Sequence, residues 1–259
     1  MRFSANISTL FTALPLLERF AAAAAAGFSA VEMQFPYTHK PAELAAAAQG
    51  AGVEIVLINL PAGDFAAGER GIACIPGRAA EFHAGVTQAV AYAAALRCPR
   101  VNCLAGNVPE GENADACWDM LVENLRDAAD VFATHNLELL IEPLNRADNP
   151  RFMLDGSKDV LALITAVGKR NLALQFDLYH SAAAGEDVCA QLARHIDRIG
   201  HIQISDHPGR GAPGSGGFDF TRFFKALSHL PYAGWVGCEY FAAEPDFAWM
   251  QSYTSSRRD

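Results

Sequence analysis

The segment Leu139-Leu140-Ile141-Glu142 combines the two features on which the interpretation of this sequence rests, a short apolar run and a carboxylate that ends it. Such a run is typical of a parallel strand buried on both faces of a sheet. The segment Ile55-Val56-Leu57-Ile58 has the same apolar character. These runs predict buried parallel strands, and Glu142 predicts a polar group at the end of one of them.

Eight strand-like runs occur along the 259 residues, and helix-like stretches separate them. The predicted strands are residues 3–7, 30–33, 54–59, 100–104, 138–141, 173–176, 199–204 and 235–238. The predicted helices are residues 15–26, 41–50, 76–96, 114–135, 157–167, 188–195 and 220–230. Strict alternation predicts a parallel α/β sheet, and eight repeats predict closure into a (β/α)8 TIM barrel. The alternative is an open doubly wound sheet, which would carry a glycine-rich turn after the first strand; residues 6–9 contain no glycine.

The sequence shows no domain boundary, so we expect residues 1–259 to form a single barrel domain with a frayed polar tail at 252–259. The Gly- and Pro-rich stretch 208–217 falls between the seventh strand and its helix, where an active-site loop is expected. The first residues lack the pattern of a secretory signal. No apolar run reaches the length that spans a bilayer. We therefore expect a soluble cytoplasmic protein without a membrane partner.

The charge balance argues against nucleic acid as a partner. The formal net charge is -9 and the pI is about 5.3, whereas binding to nucleic acid depends on cationic contacts with phosphate. A small anionic substrate is still compatible, because a site can be locally positive. The six cysteines form no CxxC pair, which disfavours a zinc ribbon or a thioredoxin-type centre and favours buried free thiols. The sequence leaves the oligomeric state open, and a homo-oligomer is compatible with it.

Four of the late strands run into a polar residue at their carboxyl end: Glu142, Asp177, Gln203 and Glu239. In a barrel these ends form the catalytic face. The gaps between the four residues are 35, 26 and 36 positions, each about one strand–helix unit. We therefore expect three carboxylates and one amide oxygen to converge, a set that suits a hard cation such as Mg²⁺ or Mn²⁺. The alternative for each residue alone is a helix cap or a surface charge.

Several longer stretches show a family likeness over nearly the whole chain. They are NLPAGDFAAGERGIA (59–73), NCLAG (102–106), IEPLN (141–145), FDLYH (176–180), HIQISDHPGR (201–210), PGSG (213–216) and GWVGCEY (234–240). On these motifs the sequence resembles the hydroxypyruvate isomerase family, whose close relatives include the 2-oxo-tetronate isomerases, within the xylose-isomerase-like TIM barrel superfamily. The resemblance implies metal ligands at Glu142, Asp177, Gln203 and Glu239. It also implies that Glu142 and Glu239 transfer protons.

Three further residues are candidates for binding the substrate. His180 follows Asp177 by three positions, a DxxH pattern that resembles sugar epimerases, in which the histidine helps to hold substrate; orienting a ligand carboxylate is the alternative. Arg210 lies in the Gly-rich loop and has the guanidinium geometry that binds a carboxylate, with a surface salt bridge as the alternative. Arg70 follows the third strand and is predicted either to contact substrate or to fix its own loop.

The chain departs from its relatives' pattern at two places beside the expected site. Residues 209–217 read GRGAPGSGG and lack a histidine and two glutamates that the family tends to carry there. Phe241 stands where the family tends to have a lysine. These changes bear on the substrate rather than on the metal set.

The resemblance implies a metal-dependent isomerase that interconverts hydroxypyruvate and tartronate semialdehyde, or acts on 2-oxo-tetronate. The implied route is a cis-enediolate with two glutamates as acid and base. One alternative is a ketose 3-epimerase, which generally has histidine in place of Gln203. Another is a nuclease resembling endonuclease IV, which would need more histidine ligands and a basic face. A sugar-acid binding barrel without activity is the last, and the presence of Glu142 and Glu239 argues against it.

Overall fold

The computed structural model describes residues 1–242 and 246–253, and its eight parallel strands close into a barrel in the order of the sequence. Strand β1 pairs with both β2 and β8, which completes the closure. The strands are β1 (Arg2–Asn6), β2 (Ala30–Met33), β3 (Glu54–Asn59), β4 (Arg100–Cys103), β5 (Glu138–Ile141), β6 (Leu172–Asp177), β7 (Ile199–Ile204) and β8 (Trp235–Cys238). The predicted (β/α)8 barrel is confirmed.

Helices connect the strands on the outside of the barrel. They are α1 (Leu16–Ala25), α2 (Pro41–Ala51), α3 (Ala79–Leu96), α4 (Ala114–Thr134), α5 (Gly156–Val167), α6 (Leu178–Ala183), α7 (Val188–His195) and α8 (Phe220–Ser228). Side-chain caps begin several of them: the Asn113 side chain accepts from the backbone N–H of Asp115 at 2.7 Å, and Asp219 accepts from that of Arg222 at 2.9 Å. Such caps satisfy donors that a helix start leaves free.

Two local differences from the sequence-based prediction have simple causes. Helix α2 continues past Gly50 and ends before Gly52, which takes the left-handed conformation (φ +70°) that a glycine adopts without strain. Helix α6 was not predicted. It begins directly after β6 because the Asp177 carboxylate accepts from the backbone N–H of Tyr179 at 2.7 Å, so no loop separates strand from helix.

The interior of the barrel holds a layer of polar side chains rather than the bulky apolar residues that are usual there. The fully buried polar residues on the strands include Ser4, Asn6, Glu32, Asn102, Gln175, His201 and Gln203. The apolar core instead lies mainly between the strands and the helices. Free cysteines are buried at five of the six positions, and Cys189 is half-buried.

The end of the described chain packs on the body of the protein. A 3-10 helix spans Ala248–Ser252, and the Tyr253 ring lies 4.2 Å from that of Phe224 between centroids. The rest of the predicted tail, residues 254–259, lies outside the described residues. Over the ranges that the structure describes, no helix is both long and apolar enough to cross a bilayer.

Candidate functional site

The four polar residues predicted at the strand ends lie at one end of the barrel and are buried. Asp177 is the last residue of β6, and its Cα is paired with that of Gln203 in β7. Glu142 directly follows β5, and Glu239 directly follows β8. None of the four is more than 4 % exposed. The parallel register of the barrel therefore places all four at the same face.

Shared hydrogen-bond donors link these side chains. The Gln175 Nε2 atom donates to Glu142 Oε2 at 2.9 Å and to Gln203 Oε1 at 2.6 Å. The Arg210 Nη2 atom lies 3.2 Å from Glu239 Oε1 and 3.5 Å from Asp177 Oδ2. Oxygens of Glu142 and Asp177 and a nitrogen of His180 lie within 4.8 Å of one another. The predicted set is thus one connected cluster.

Each glutamate has one oxygen engaged and one left over. Asn102 Nδ2 and Gln175 Nε2 both donate to Glu142 Oε2, each at 2.9 Å. Gln34 Nε2 donates to Glu239 Oε1 at 2.8 Å, and Arg210 is the second donor to that atom. The other oxygen of each glutamate makes no hydrogen bond with the residues described. Both glutamates therefore keep an oxygen with which to bind a cation or exchange a proton.

Burial raises the pKa of all three carboxyl groups. The pKa of Glu142 is raised well above its usual range by burial and further by the charges of Glu239 and Asp177. Burial raises the pKa of Glu239 to about 8 although Arg210 beside it acts in the opposite direction. The pKa of Asp177 is also raised by burial, again against Arg210. One guanidinium does not balance three buried carboxylates.

This donor set fits a hard divalent cation. A buried group of Glu142, Asp177 and His180 could bind a metal, and Gln203 adds an amide oxygen that shares its donor with Glu142. Carboxylate and amide oxygens are the preferred ligands of Mg²⁺ and Mn²⁺. A cation would also supply the positive charge that three crowded carboxylates lack.

His180 is a buried, neutral ring beside these carboxylates. Its Nδ1 accepts from the backbone N–H of Asn145 at 3.1 Å, which leaves the proton of a neutral ring on Nε2. Burial lowers the pKa of His180 well below its usual value. The Nε2 atom lies 3.8 Å from Asp177 Oδ2. The ring therefore presents an N–H to the cluster, as a substrate-holding residue would.

The two candidate arginines lie on opposite loops of the mouth. Arg70 stacks on the Phe65 ring, with its guanidinium carbon 4.0 Å from the ring centroid, and its Nη1 donates to carbonyls of Phe65 and Glu69. It thus braces its own loop while it lines the cavity. Arg210 pairs with carboxylates of the cluster and is about a quarter exposed (24 %). Both predicted alternatives for Arg70 are compatible with this placement, whereas Arg210 contacts the site instead of a surface partner.

The loop after β7 fixes the backbone of Arg210. Arg210 has a left-handed conformation (φ +53°), and its N–H donates to the Asp206 carbonyl at 2.9 Å. The Asp206 carboxylate accepts from the backbone N–H groups of Gly214 at 2.7 Å and Phe218 at 3.1 Å. Phe241, the position that departs from the family pattern, donates its backbone N–H to the Arg210 carbonyl at 3.0 Å. The loop that departs from the family pattern is therefore a folded support for the arginine.

A small cavity of about 90 Å³ opens at this cluster. Its lining includes Gln34, Phe35, Asn59, Phe65, Arg70, Leu104, Glu142, Leu144, Asn149, Gln175, His180, Arg210 and Glu239. The volume is far below the several hundred Å³ of typical sites for drug-sized ligands. Aromatic and aliphatic walls face charged and amide groups, an arrangement that suits a small anion.

The sequence analysis missed four residues of the site: Gln34, Asn102, Gln175 and Glu32. Glu32 contacts the cluster by accepting a hydrogen bond from Gln203 at 2.7 Å. All four lie in or beside short apolar strands. The signal that could have revealed Glu32 and Gln175 is the polar residue inside Ala-Val-Glu-Met and Leu-Ala-Leu-Gln-Phe-Asp, because a buried polar side chain needs a partner.

Comparison with known proteins agrees with the fold. The family described as xylose isomerase-like TIM barrel matches residues 20–257. The chain is 45 % identical to hydroxypyruvate isomerase of Escherichia coli (strain K12), over 98 % of this chain and 99 % of that protein. It is 40 % identical to 2-oxo-tetronate isomerase of Cupriavidus necator, over 97 % and 98 % of the two chains. A crystal structure described as AP endonuclease, family 2, from Brucella melitensis has a TM-score of 0.94 at 38 % identity and covers 98 % of this chain and 99 % of that one.

Proposed function

Because this chain belongs to the xylose isomerase-like TIM barrel family and is an isomerase like its hydroxypyruvate and 2-oxo-tetronate isomerase relatives, we propose that it interconverts hydroxypyruvate and tartronate semialdehyde, or acts on the four-carbon 2-oxo-tetronate, with a divalent metal. The observation that carries the proposal is the pair Glu142 and Glu239, each with one oxygen engaged and one left over, in a small cavity with arginines.

The reaction moves a carbonyl from one carbon to its neighbour. Hydroxypyruvate has its ketone at C2 and its hydroxyl at C3, so a proton must leave C3, another must reach C2, and the hydroxyl proton must pass from O3 to O2. The proposed intermediate is a cis-enediolate. Glu142 comes from β5 and Glu239 from β8, so the two carboxylates approach a substrate from different sides. One removes the C3 proton and the other delivers a proton to C2.

The metal is proposed at Glu142, Asp177, Gln203 and Glu239, as Mg²⁺ or Mn²⁺. It would supply electrostatic stabilisation of the negative charge that develops on the two substrate oxygens. The chain itself holds the carboxylates in place through amide donors, and Asp177 Oδ1 accepts from the Tyr179 backbone N–H at 2.7 Å.

The acid group of the substrate is proposed to lie against Arg70, Arg210 and His180. Arg70 retains Nε and Nη2, which make no hydrogen bond with any described residue, and a guanidinium binds a carboxylate in a bidentate manner. The neutral Nε2–H of His180 is a donor to a substrate oxygen. The 90 Å³ cavity favours a substrate of three or four carbons over a hexose.

Two alternatives have less support. Solved structures of an L-ribulose 3-epimerase and a D-psicose 3-epimerase share the fold at 24 % and 17 % identity, which bears on the fold alone. A multinuclear zinc nuclease needs several histidine ligands, and the cluster described here has one histidine, whose Nδ1 is already engaged.

The test is turnover in D₂O. The protein loaded with Mg²⁺ or Mn²⁺ is incubated with hydroxypyruvate, 2-oxo-tetronate and a set of ketoses, and products are followed by NMR. We expect turnover of an acid with solvent deuterium at the carbon beside the carbonyl. Transfer of hydrogen from C3 to C2 without exchange would contradict the enediolate, and turnover of a ketose alone would favour the epimerase.

A further inference from the structure

A buried carboxylate lies beneath the proposed metal site and has no part in the mechanism described above. Glu32 of β2 is 0 % exposed. Ser4 Oγ and Asn6 Nδ2 donate to it at 3.0 and 3.2 Å, and Gln203 Nε2 donates to its Oε1 at 2.7 Å. Its Oε2 also lies 2.7 Å from His201 Nε2. The donors come from both β1 and β7, so the carboxylate occupies the barrel interior.

The backbone is shaped around this carboxylate. A Cβ atom at Gly237 of β8 would overlap both oxygens of Glu32, so a larger residue there would displace the carboxylate. The register of β2 against β3 shifts between Val31 and Glu32. The register of β6 against β7 shifts between Leu174 and Gln175. Such irregularities re-aim side chains beside functional sites, and each of these two directly precedes a residue of the network.

A hydrogen-bond chain runs from Glu32 to the proposed catalytic glutamate. Glu32 accepts from Gln203 Nε2, Gln203 Oε1 accepts from Gln175 Nε2 at 2.6 Å, and the same Gln175 nitrogen donates to Glu142. An ionised carboxylate only accepts hydrogen bonds. If the Gln203 amide were reversed, its oxygen would face the Glu32 carboxylate and its nitrogen would face the Gln175 nitrogen. Both contacts would be repulsive, so the chain permits one orientation.

Packing alone does not explain a carboxylate at this place. Burial of a carboxylate is costly even beside a histidine such as His201, and replacing buried polar groups with apolar ones of similar volume is often neutral or stabilising. What a carboxylate provides, and an amide or apolar side chain does not, is an acceptor that cannot also donate. That property selects the orientation of the amide above it.

We propose that Glu32 is a positioning residue that holds the Gln203 amide with its oxygen toward the carboxylates, so that Gln203 can serve as a metal ligand. The inference rests on the metal site of the proposed function. Glu32 itself touches neither the metal nor the substrate in this arrangement. Its effect reaches the site through the orientation of one amide.

The test measures Mn²⁺ affinity of the purified full-length protein by EPR, without reference to turnover. Glu32→Gln keeps the volume but allows the side chain to donate as well as accept, so one of the two contacts that fix the orientation of the Gln203 amide is lost. We expect Mn²⁺ to bind at least tenfold more weakly. The matched control is Ser4→Ala, which removes a donor to Oε2 of the same carboxylate and leaves the contact with Gln203; its Mn²⁺ affinity should stay within about threefold of wild type.

Rescue separates positioning from a structural role. In the double variant Glu32→Gln/Gln203→Glu the amide and carboxylate exchange places, so the new amide in β2 donates to one oxygen of the new carboxylate in β7, while the other oxygen of that carboxylate faces the site. We expect Mn²⁺ affinity to return to within about threefold of wild type. A double variant that is unfolded by circular dichroism, or folded without recovery, overturns the proposal, and so does Glu32→Gln with wild-type affinity. If the wild-type protein binds no Mn²⁺, the proposed metal site is contradicted, and so is the positioning role of Glu32.

Discussion

The two proposed catalytic glutamates are held in different ways. On the strand side, Glu142 accepts from Asn102 of β4 and Gln175 of β6, two neutral amides on buried strands. On the loop side, Glu239 accepts from Gln34, just past β2, and from the cation Arg210 in the loop after β7. The barrel itself fixes one carboxylate, whereas loops fix the other. Substitutions in the loops can therefore alter the contacts of Glu239 without altering those of Glu142.

Removal of the metal should affect both sides at once and gives the largest expected effect. Chelation should abolish turnover, because Glu142, Asp177, Gln203 and Glu239 would hold the cation that stabilises the charge developing on the substrate. Addition of Mg²⁺ or Mn²⁺ should restore it. The control is the same chelator saturated with Mg²⁺, which should not inhibit. Full activity of protein that elemental analysis shows to be metal-free would show that turnover needs no cation at these carboxylates.

Replacing each glutamate with glutamine tests whether the two sides are equally needed for proton transfer. Glu142→Gln and Glu239→Gln should each lower kcat by about 10²–10⁴-fold, the usual contribution of a positioned acid or base. Each glutamine still accepts from the donors on its side, so the cluster keeps its hydrogen bonds. Metal content is measured on both variants, since loss of metal would mimic loss of the base. A variant with bound metal and near wild-type kcat would exclude that glutamate from the proton path.

The fold could be predicted because alternation of apolar strands and amphipathic helices is a local property of the sequence. Convergence of Glu142, Asp177 and Gln203 then follows from parallel strands that end at one face. Helix α6 was missed because an Asp177 side chain caps it within two residues of the strand, leaving no loop for a pattern to show. The isomerase assignment is confirmed by relatives of 40–45 % identity, whereas the roles of the site residues stay predictions.

The contacts made by the polar residues beneath the site could not be predicted from the sequence. Glu32 and Gln175 occur in strands whose other residues are apolar, and strand alternation alone does not say which face a side chain takes when the register shifts beside it. Whether Gln34 reaches Glu239, 205 positions away, depends on closure of the barrel. These contacts are long-range, and only the three-dimensional arrangement reveals them.

The loop-side arginines should separate binding from chemistry. Arg70→Ala should raise KM more than tenfold with little change in kcat, because a charge-assisted hydrogen bond to the substrate carboxylate contributes about 1.5–3 kcal/mol. Arg210→Ala should raise KM and also lower kcat, because Arg210 contacts Glu239 and Asp177.

Lysine replacements at the same two positions serve as controls that keep the charge but lose the forked geometry. They should recover part of the loss caused by alanine. If neither alanine variant changes KM, the carboxylate of the substrate is bound elsewhere in the mouth. If Arg210→Ala changes KM alone, the proposed coupling between this arginine and Glu239 is absent.

The last comparison concerns the pH dependence of stability in the metal-free protein. Burial raises the pKa of Glu239 from its usual value near 4.5 to about 8, and it raises the pKa of Glu142 well above the usual range. Between pH 4.5 and 8 the unfolded chain has released the Glu239 proton while the folded chain keeps it. The folded state binds more protons, so stability falls as the pH rises through this window, by up to about 1.4 kcal/mol per pH unit for one proton.

The measurement compares the melting temperatures of wild type and each Glu→Gln variant from about pH 5 to 8, within the window that the raised pKa values define. Wild type should lose stability relative to both Glu239→Gln and Glu142→Gln as the pH rises, because burial raises the pKa of both carboxyl groups although Arg210 acts in the opposite direction on each. Saturating Mg²⁺ should flatten both differences, since a cation favours the ionised carboxylates. Differences that stay constant with pH, or that grow in the opposite direction, would show that the two carboxyl groups are ionised in the metal-free protein.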